Sequence, residues 1–529
     1  MRFAGIICIS LLFTAMLVAC GPSGEEQEKA NPTDVGRSIY RDGLLPNDEP
    51  LTALVAGDVP ILGTQFSCQS CHGRSGMGTG EATYIVPPVA GPFLFTESAQ
   101  PKRPAYDTAS LARVLREGVT PAGRTLDQLM PRYPLSDDNV ASLAAYLKVL
   151  SAGNSPGVDD KVIRFGTIMT EDTAPAEREA VLAVLRQYFE EKNRQTRLES
   201  ERWDRGYTPE SKLPTVFREW QLEEWVLTGP AEGWAAQLDS YYADTPVFAI
   251  VSGLGTGDWG PIGRFCEQQE VPCLFPSTDL PDAQEGDFYT MYFSRGLRLE
   301  ADLIANHLAS QPVKRLVQVY CDGATAQAAD SLRHALGASG DSTDDLQVDC
   351  DAPLPTAEIA MRLTANPDAA AVLWVRSPQL TDLETPLPAG RIYLSSILLG
   401  DQPIDSLRSA PGPVFKAYPF KLPGASDPAL RRFMVWAKTR KIELTAPRYQ
   451  AEAFFACMAL GDSVKHMRRF FIRDFILDML DHSQGLAIYL PYHPRPSIGP
   501  GQRFLNKGGY VLPVVNGKPD FSDVEWILP

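Results

Sequence analysis

Residues 68–72 read Cys-Gln-Ser-Cys-His, and no other stretch restricts this chain so sharply. Two thiols three positions apart, followed at once by an imidazole, form the pattern by which a haem is bonded covalently to protein. Cys68 and Cys71 would each form a thioether to a haem vinyl group, and His72 would lie under the iron as its proximal ligand. A redox-active dithiol of this spacing belongs between a strand and a helix of a βαβ unit, and a zinc site needs further ligands close by. Outside this motif there is no Cys or His between positions 21 and 265. The expected cofactor is therefore one covalently bound haem c, with its iron.

The chain has 529 residues, enough for two or three domains. Its 44% hydrophobic and 22% charged content is that of a globular protein. A net charge of -16 argues against a nucleic-acid partner, which needs a basic face, and allows pairing with a basic protein. The first residues stand apart from the fold. Arg2 is followed by an apolar run that ends in Leu17-Val18-Ala19-Cys20, too short for a comfortable membrane span. This resembles a bacterial lipobox, in which residues 1–19 are a signal peptide and Cys20 is lipidated as the mature N-terminus. Gly21 is not the Asp that the resemblance links to inner-membrane retention, which points to the outer membrane. Residues 20–34 read as a flexible, polar tether. Export to the periplasm agrees with covalent haem attachment and permits disulfides. We expect bridges Cys266–Cys273 and Cys321–Cys350, with Cys457 a buried free thiol on an apolar helix.

A first domain is expected over residues 35–151. His72 is its only His, so a second axial ligand must be one of two methionines, Met77 or Met130. Met77 follows His72 too closely to reach the opposite face of the haem. Pro131 biases Met130 away from helical geometry. Ser136 is a plausible N-cap, with Asp137 and Asp138 in the first helical turn. Val140, Leu143, Ala144, Leu147 and Leu150 then follow helical spacing. The motif, Met130-Pro131-Arg132-Tyr133-Pro134 and this helix resemble class I c-type cytochromes. That resemblance implies an all-α domain, metal ligation by His72 and Met130, a raised reduction potential and single-electron transfer.

Residues 152–161 form a Gly- and Pro-containing linker. Beyond them short β-branched runs alternate with helical patterns. Strands are expected at 162–169, 246–252, 274–277, 315–321, 346–350, 371–375 and 392–395, with helices at 177–193, 262–269, 299–308 and 326–336. Such alternation predicts parallel sheets covered on both faces, and the length predicts two lobes. The opening strand Ile163 to Met169, Val251-Ser252-Gly253-Leu254, Val271-Pro272-Cys273, Tyr292-Phe293-Ser294-Arg295 and the region from Pro500 to Tyr510 resemble type I periplasmic solute-binding proteins, the receptors for branched-chain amino acids and amides in ABC transport. The resemblance implies a two-lobed α/β domain over 162–529, with lobe I about 162–296 and 414–482 and lobe II about 297–413 and 483–529. It also implies a ligand held between the lobes at strand ends. The corresponding positions are Ser252, Thr256, Ser277, Thr278 and Asp322. In this family an acidic-aromatic-glycine stretch often follows the second-lobe Asp, but Asp322 is followed by Gly323-Ala324. Residues 255–260 match G-x-G-x-x-G formally, but no acidic residue ends the next strand. They read as a flexible interlobe loop.

The function expected is that of a lipid-anchored electron carrier whose second part docks a partner or binds a small polar solute. The redox partner would be a periplasmic dehydrogenase or another cytochrome. The alternative is a solute receptor for uptake or sensing whose haem reports redox state. No hydrolase, zinc-protease or nucleotide-binding motif supports an enzyme.

Overall fold

The computed structural model describes residues 31–529 except 57–58, 82–83, 100–101, 205–217, 312, 338–342, 365–367, 382, 384–385, 401–403, 425 and 468–469. Cys20 and the expected signal peptide lie outside the described residues. Among the described residues no helix is long and apolar enough to cross a membrane. The chain divides into two compact units, residues 1–67 with 107–146, and residues 68–106 with 147–529.

In chain order the N-terminal part contains α1 (Pro32–Arg41), the antiparallel hairpin β1 (Thr52–Val55) and β2 (Val59–Leu62), and α2 (Cys68–His72). Next come the hairpin β3 (Thr79–Glu81) and β4 (Tyr84–Val86), α3 (Gly91–Leu94), and the hairpin β5 (Ser98–Ala99) and β6 (Lys102–Arg103). α4 (Thr108–Glu117) and α5 (Asp137–Val149) follow. The three hairpins correct the all-α expectation for residues 35–151. Short strands in a Pro- and Gly-punctuated sequence carry too few periodic positions to be read.

In the first unit α1 packs against α5. A Cβ on Gly36 would lie 2.1 Å from the carbonyl oxygen of Ser142, so only glycine permits this approach. Tyr40 and Tyr146 meet at 5.6 Å between ring centroids, and Arg41 Nε donates to the Tyr146 hydroxyl at 3.1 Å. Ile39, Leu111, Val114, Leu115, Val140 and Leu143 fill the core.

In the second unit two seven-stranded sheets form the lobes. The first contains β7 (Val162–Thr170), β8 (Glu219–Leu227), β9 (Ala249–Val251), β10 (Leu254–Asp258), β11 (Cys273–Leu274), β12 (Ser277–Leu280) and β13 (Thr290–Met291). β8 runs parallel to β7 over nine residues. β9 and β10 also pair with β7, interrupted at Ser252 (φ 57) and Gly253 (φ 138). The interruption re-aims the chain, and β10 then resumes the sheet. Residues 255–258 are therefore strand rather than the expected flexible loop. α6 (Pro175–Asp204), α7 (Trp234–Asp244) and α8 (Gly260–Gln268) provide the crossovers.

α9 (Leu297–Ala309) leads into the second sheet, whose order is β15-β14-β16-β17-β18-β19-β20. Its parallel strands are β14 (Arg315–Tyr320), β15 (Thr343–Gln347), β16 (Ala369–Trp374), β17 (Arg391–Ser395) and β18 (Val414–Tyr418). The antiparallel pair β19 (Tyr510–Val515) and β20 (Lys518–Pro519) closes the edge. Helices α10 (Gly323–Ala335), α11 (Thr356–Thr364), α12 (Ser377–Thr381) and α13 (Ser396–Leu399) accompany the strands. All six residues of β16 are buried, as a central parallel strand covered on both faces requires.

After β18 the chain returns to the first lobe as α14 (Pro428–Thr439), α15 (Pro447–Met467) and α16 (Arg473–Asp481). There Phe433, Phe454, Phe455 and Leu480 join the core built on β7 and β9. Because β18 belongs to the second sheet, the stretch from 414 to the start of α14 falls with lobe II, which corrects the expected boundary.

Cys321 and Cys350 form a disulfide with Cα atoms 5.0 Å apart. Cys266 and Cys273 are instead buried free thiols, as is Cys457. This corrects the expected first bridge. Cys266 lies on α8 and Cys273 on β11, so both thiols sit inside the helix–sheet core, where each packs as a small apolar side chain.

Glu300 is fully buried on α9 and accepts hydrogen bonds from the Ser396 and Ile397 amides at 2.9 and 3.0 Å and from the Ser395 hydroxyl. It thereby ties α9 to the turn that follows β17. Burial pushes its carboxyl up to about 8, against the opposing pull of Ser395 and the two amides. The folded state therefore keeps a proton that the unfolded chain gives up, and stability falls as pH rises from about 4.5 to about 8, by up to about 1.4 kcal/mol per pH unit. Glu300→Gln has no proton to lose. Thermal unfolding of the variant at pH 5 and pH 8 is expected to show a smaller drop in Tm than the parent chain shows.

Candidate functional site

Cys68, Cys71 and His72 share the single turn of α2. His72 is buried, and its Nδ1 lies 2.9 Å from the carbonyl oxygen of Pro87. A carbonyl can only accept, so Nδ1 donates and Nε2 is the nitrogen left for a ligand bond. Burial lowers the imidazole pKa, partly opposed by the Pro87 bond, so the ring stays neutral as a metal ligand must. Burial, with the neighbouring Cys71, pushes the Cys68 thiol up to about 12. A redox-active dithiol needs the opposite, a lowered thiol pKa. Two thiols held for thioether bonds and one neutral, oriented imidazole fit a c-type haem.

The chain just beyond His72 is fastened to α16. Asp478 accepts the backbone N–H groups of Arg74 and Ser75 at 3.0 and 2.9 Å. Gly73 has φ 75, and a Cβ there would lie 2.6 Å from a carboxylate oxygen of Asp478. The Arg74 guanidinium lies over Phe288 at 4.5 Å, with Asp474 at 3.7 Å. Phe93 meets Phe470 at 4.7 Å, and Ser151 donates to the Ser75 carbonyl at 2.7 Å. The haem-attachment segment is thus part of the same compact unit as the two sheets.

Met130 lies in a loop of the first unit. Arg132 exchanges backbone hydrogen bonds with Leu54 at 2.8 and 2.9 Å. Its guanidinium bonds the carbonyls of Met130 and Leu126, and the Tyr133 hydroxyl donates to the Phe66 carbonyl at 2.9 Å. Met130 therefore sits on a loop pinned on both sides of Pro131. The backbone N–H of Met77 donates to Ser75 Oγ at 3.2 Å, within the turn that Asp478 holds.

A second site lies between the lobes. A narrow crevice, with a volume of only about 30 Å³, is bordered by Ser277, Thr278, Asp279, Phe293, Arg448 and His493, among others. Of the five expected ligand positions, it takes in Ser277 and Thr278. Ser252, Thr256 and Asp322 do not line it. Thr256 donates to Asp172 at 2.7 Å. Asp322 caps α10 by accepting the Thr325 amide at 2.7 Å. The Ser252 hydroxyl is buried without a partner, at the left-handed residue that interrupts the strand. These three were placed by strand-end logic, which does not say which strand ends face the other lobe.

The remaining polar side chains were not legible in the sequence. Glu452 on α15 accepts from Ser277 Oγ at 2.6 Å and from His493 Nε2 at 3.0 Å. Burial would raise its carboxyl pKa, but the His493 hydrogen bond and the charge of Arg448 bring it below the usual range. His493 stacks on Phe293 at 5.0 Å. Asp279, pushed up to about 6 by burial against the attraction of Arg376, accepts both terminal nitrogens of Arg376 at 3.2 Å. Asp279 lies on the first sheet's β12 and Arg376 follows the second sheet's β16, so this pair latches one lobe to the other. No spacing rule connects residues 279, 376, 448, 452 and 493.

Residues 63–151 match the family model described as Cytochrome c. No curated protein matches the chain. Several solved structures are similar over the larger part. A leucine binding protein from Thermotoga maritima is 15% identical, with a TM-score of 0.48 over 68% of this chain and 98% of its own. A branched chain amino acid ABC transporter protein from Thermus thermophilus, with bound valine, is 10% identical, with a TM-score of 0.47 over 69% and 96%. A fatty acid ABC transporter substrate-binding protein from Thermomonospora curvata is 15% identical, with a TM-score of 0.46 over 71% and 94%.

The Asp478 contact has a measurable consequence. Asp478→Ala leaves one buried and one part-buried amide without this acceptor and is expected to cost about 2 kcal/mol in urea denaturation, with Asp478→Asn recovering part of the loss.

Proposed function

We propose that this protein is a periplasmic, lipid-anchored electron carrier in which one c-type haem is coupled to a solute-receiving module. The observation that carries the haem part is the α2 turn, with both thiols and a His72 ring whose Nδ1 is committed to Pro87. When bound, the haem supplies one-electron redox chemistry. The chain's own residues do the rest. Cys68 and Cys71 hold the group covalently, His72 offers Nε2, and Asp478 fixes the backbone that follows it. Met130, on its Arg132-pinned loop, is proposed to offer its sulfur as the second iron ligand, and His/Met ligation would suit the group to electron transfer. Cys20 is the proposed lipid attachment point, which would hold the carrier at the outer membrane. The partner is a periplasmic dehydrogenase or another cytochrome, approached by charge steering from this acidic chain.

The specific observation favouring solute reception is the interlobe crevice, with its Asp279–Arg376 latch and convergent polar groups. Ligands of open α/β sheets bind beyond the carboxyl ends of strands, and Pro276, which borders the crevice, lies between the end of β11 and the start of β12.

Mass spectrometry of the denatured periplasmic protein is expected to show the chain mass plus one haem. A chain without covalent haem ends this reading. Met130→Ala should remove the Met–iron charge-transfer band from the oxidised spectrum and lower the midpoint potential. Persistence of the band would assign the ligand to Met77.

A further inference from the structure

A groove of about 930 Å³ opens on the first lobe among α6, α14, α15 and residues 483–489, and it shares no lining residue with the interlobe crevice. Small-molecule sites typically have volumes of roughly 300–1,000 Å³. The floor of this groove is apolar. Phe454, Phe455 and Leu486 are buried there, and Trp436 and Met458 pack partly buried against the same core. One wall is braced by Glu191 of α6, which accepts from Trp436 Nε1 at 3.0 Å and from Arg440 Nε at 2.8 Å, both on α14. Glu191 and Arg440 thereby neutralise each other. The other charged residues lining the groove are Lys192, Arg432 and Lys465 against Asp462. This is a local positive excess in a chain whose net charge is -16.

The cations gather at one end. A Cβ on Gly461 would lie 2.8 Å from the Tyr188 hydroxyl, so glycine lets that hydroxyl reach α15. Lys465 stands one helical turn further along the same helix, and the charge of Arg432 bears on Tyr188. Among the described residues neither Arg432 nor Lys465 makes an ion pair, and the Tyr188 hydroxyl makes no hydrogen bond. Burial raises the Tyr188 pKa, so the hydroxyl stays protonated and can donate. The Arg432 guanidinium lies over Tyr489 at 4.9 Å and that of Arg440 over Trp436 at 5.0 Å. These aromatic faces are already covered by cations and offer little to a cationic ligand.

The geometry points to a binding site for a single-chain amphiphilic anion, its oxygen head on Arg432, Lys465 and the Tyr188 hydroxyl and its apolar chain over Phe454, Met458 and Leu486. A head of this kind takes charge-assisted hydrogen bonds from guanidinium and ammonium groups, and the chain gains by leaving water. The site is separate from the interlobe crevice, and neither reading depends on the other.

The test is calorimetric titration of the full, haem-loaded chain with octanoate, dodecanoate and dodecyltrimethylammonium, all below micelle-forming concentrations. Affinity is expected to rise from octanoate to dodecanoate by about 3- to 4-fold per methylene, and dodecyltrimethylammonium is expected to show no saturable binding. Arg432→Gln and Lys465→Gln, both at exposed positions, should each weaken dodecanoate by about 10-fold, with circular dichroism and Tm of the unliganded variants unchanged. The assignment is overturned if the cationic amphiphile binds as tightly as dodecanoate, if affinity ignores chain length, or if the double variant binds dodecanoate like the parent chain. It also falls if the chain sediments with phosphatidylglycerol vesicles yet gives no heat with dodecanoate, which would make the groove a membrane contact.

Discussion

The carboxylate of Asp478 beneath the amides of Arg74 and Ser75 is the contact on which the arrangement of the second unit turns. It lies immediately after the haem-attachment residues in sequence, yet its acceptor comes from a helix about four hundred positions later. A charge-assisted bond from one carboxylate to two backbone amides, one of them buried, is among the stronger single contacts a fold can use. It is seconded by Arg74 stacked on Phe288 and by Gly73, whose missing Cβ leaves room for the carboxylate. The segment bearing Cys68, Cys71 and His72 is therefore not a bead on a string. It is held by the helix that also completes the core of the first lobe.

The same helical layer carries the crevice chemistry. α15 and α16 are consecutive, and both bury one face in the core built on β7 and β9. α16 supplies Asp478 to the haem segment, and α15 supplies Arg448 and Glu452 to the space between the lobes. The Cys68–His72 turn and the interlobe crevice are thus supported by neighbouring helices of one packed layer. The lobes themselves meet through Asp279 and Arg376, a pair whose acid is buried and whose base is a third exposed. The desolvation cost of such a pair is repaid only when the geometry holds, so it favours a closed arrangement without adding much to overall stability.

What the sequence made legible was what local pattern encodes. The Cys-x-x-Cys-His turn, the Ser136 cap before α5 and the alternation of parallel strands with helices all follow from spacing over a few residues. β8 was missed because Glu219-Trp-Gln-Leu-Glu-Glu-Trp-Val-Leu227 mixes charge with aromatics, and only pairing along β7 makes it a strand. The hairpins between 52 and 103 are too short to show a period. Cys266 and Cys273 do meet inside the core, as the expectation required, but as hydrogen-bonded free thiols without a bridge. The crevice residues come from six separated segments, so their convergence is a property of topology. The change at Ser252, where a strand pauses and resumes, was read as a strand end for the same reason.

The disulfide between Cys321 and Cys350 has a consequence for how such a chain must be made. Thioether formation consumes free thiols at Cys68 and Cys71, whereas the second lobe needs two of its own thiols oxidised. One polypeptide therefore asks its compartment for opposite sulfur chemistry at two places. Order along the chain helps, since the Cys68–His72 turn comes some 250 residues before the first of the bridging cysteines. Cys266 and Cys273, once sealed inside the first lobe, are removed from the exchange. Maturation is in this sense a sorting problem among the seven cysteines that follow Cys20, and the fold reduces it by burying three of them and bridging two.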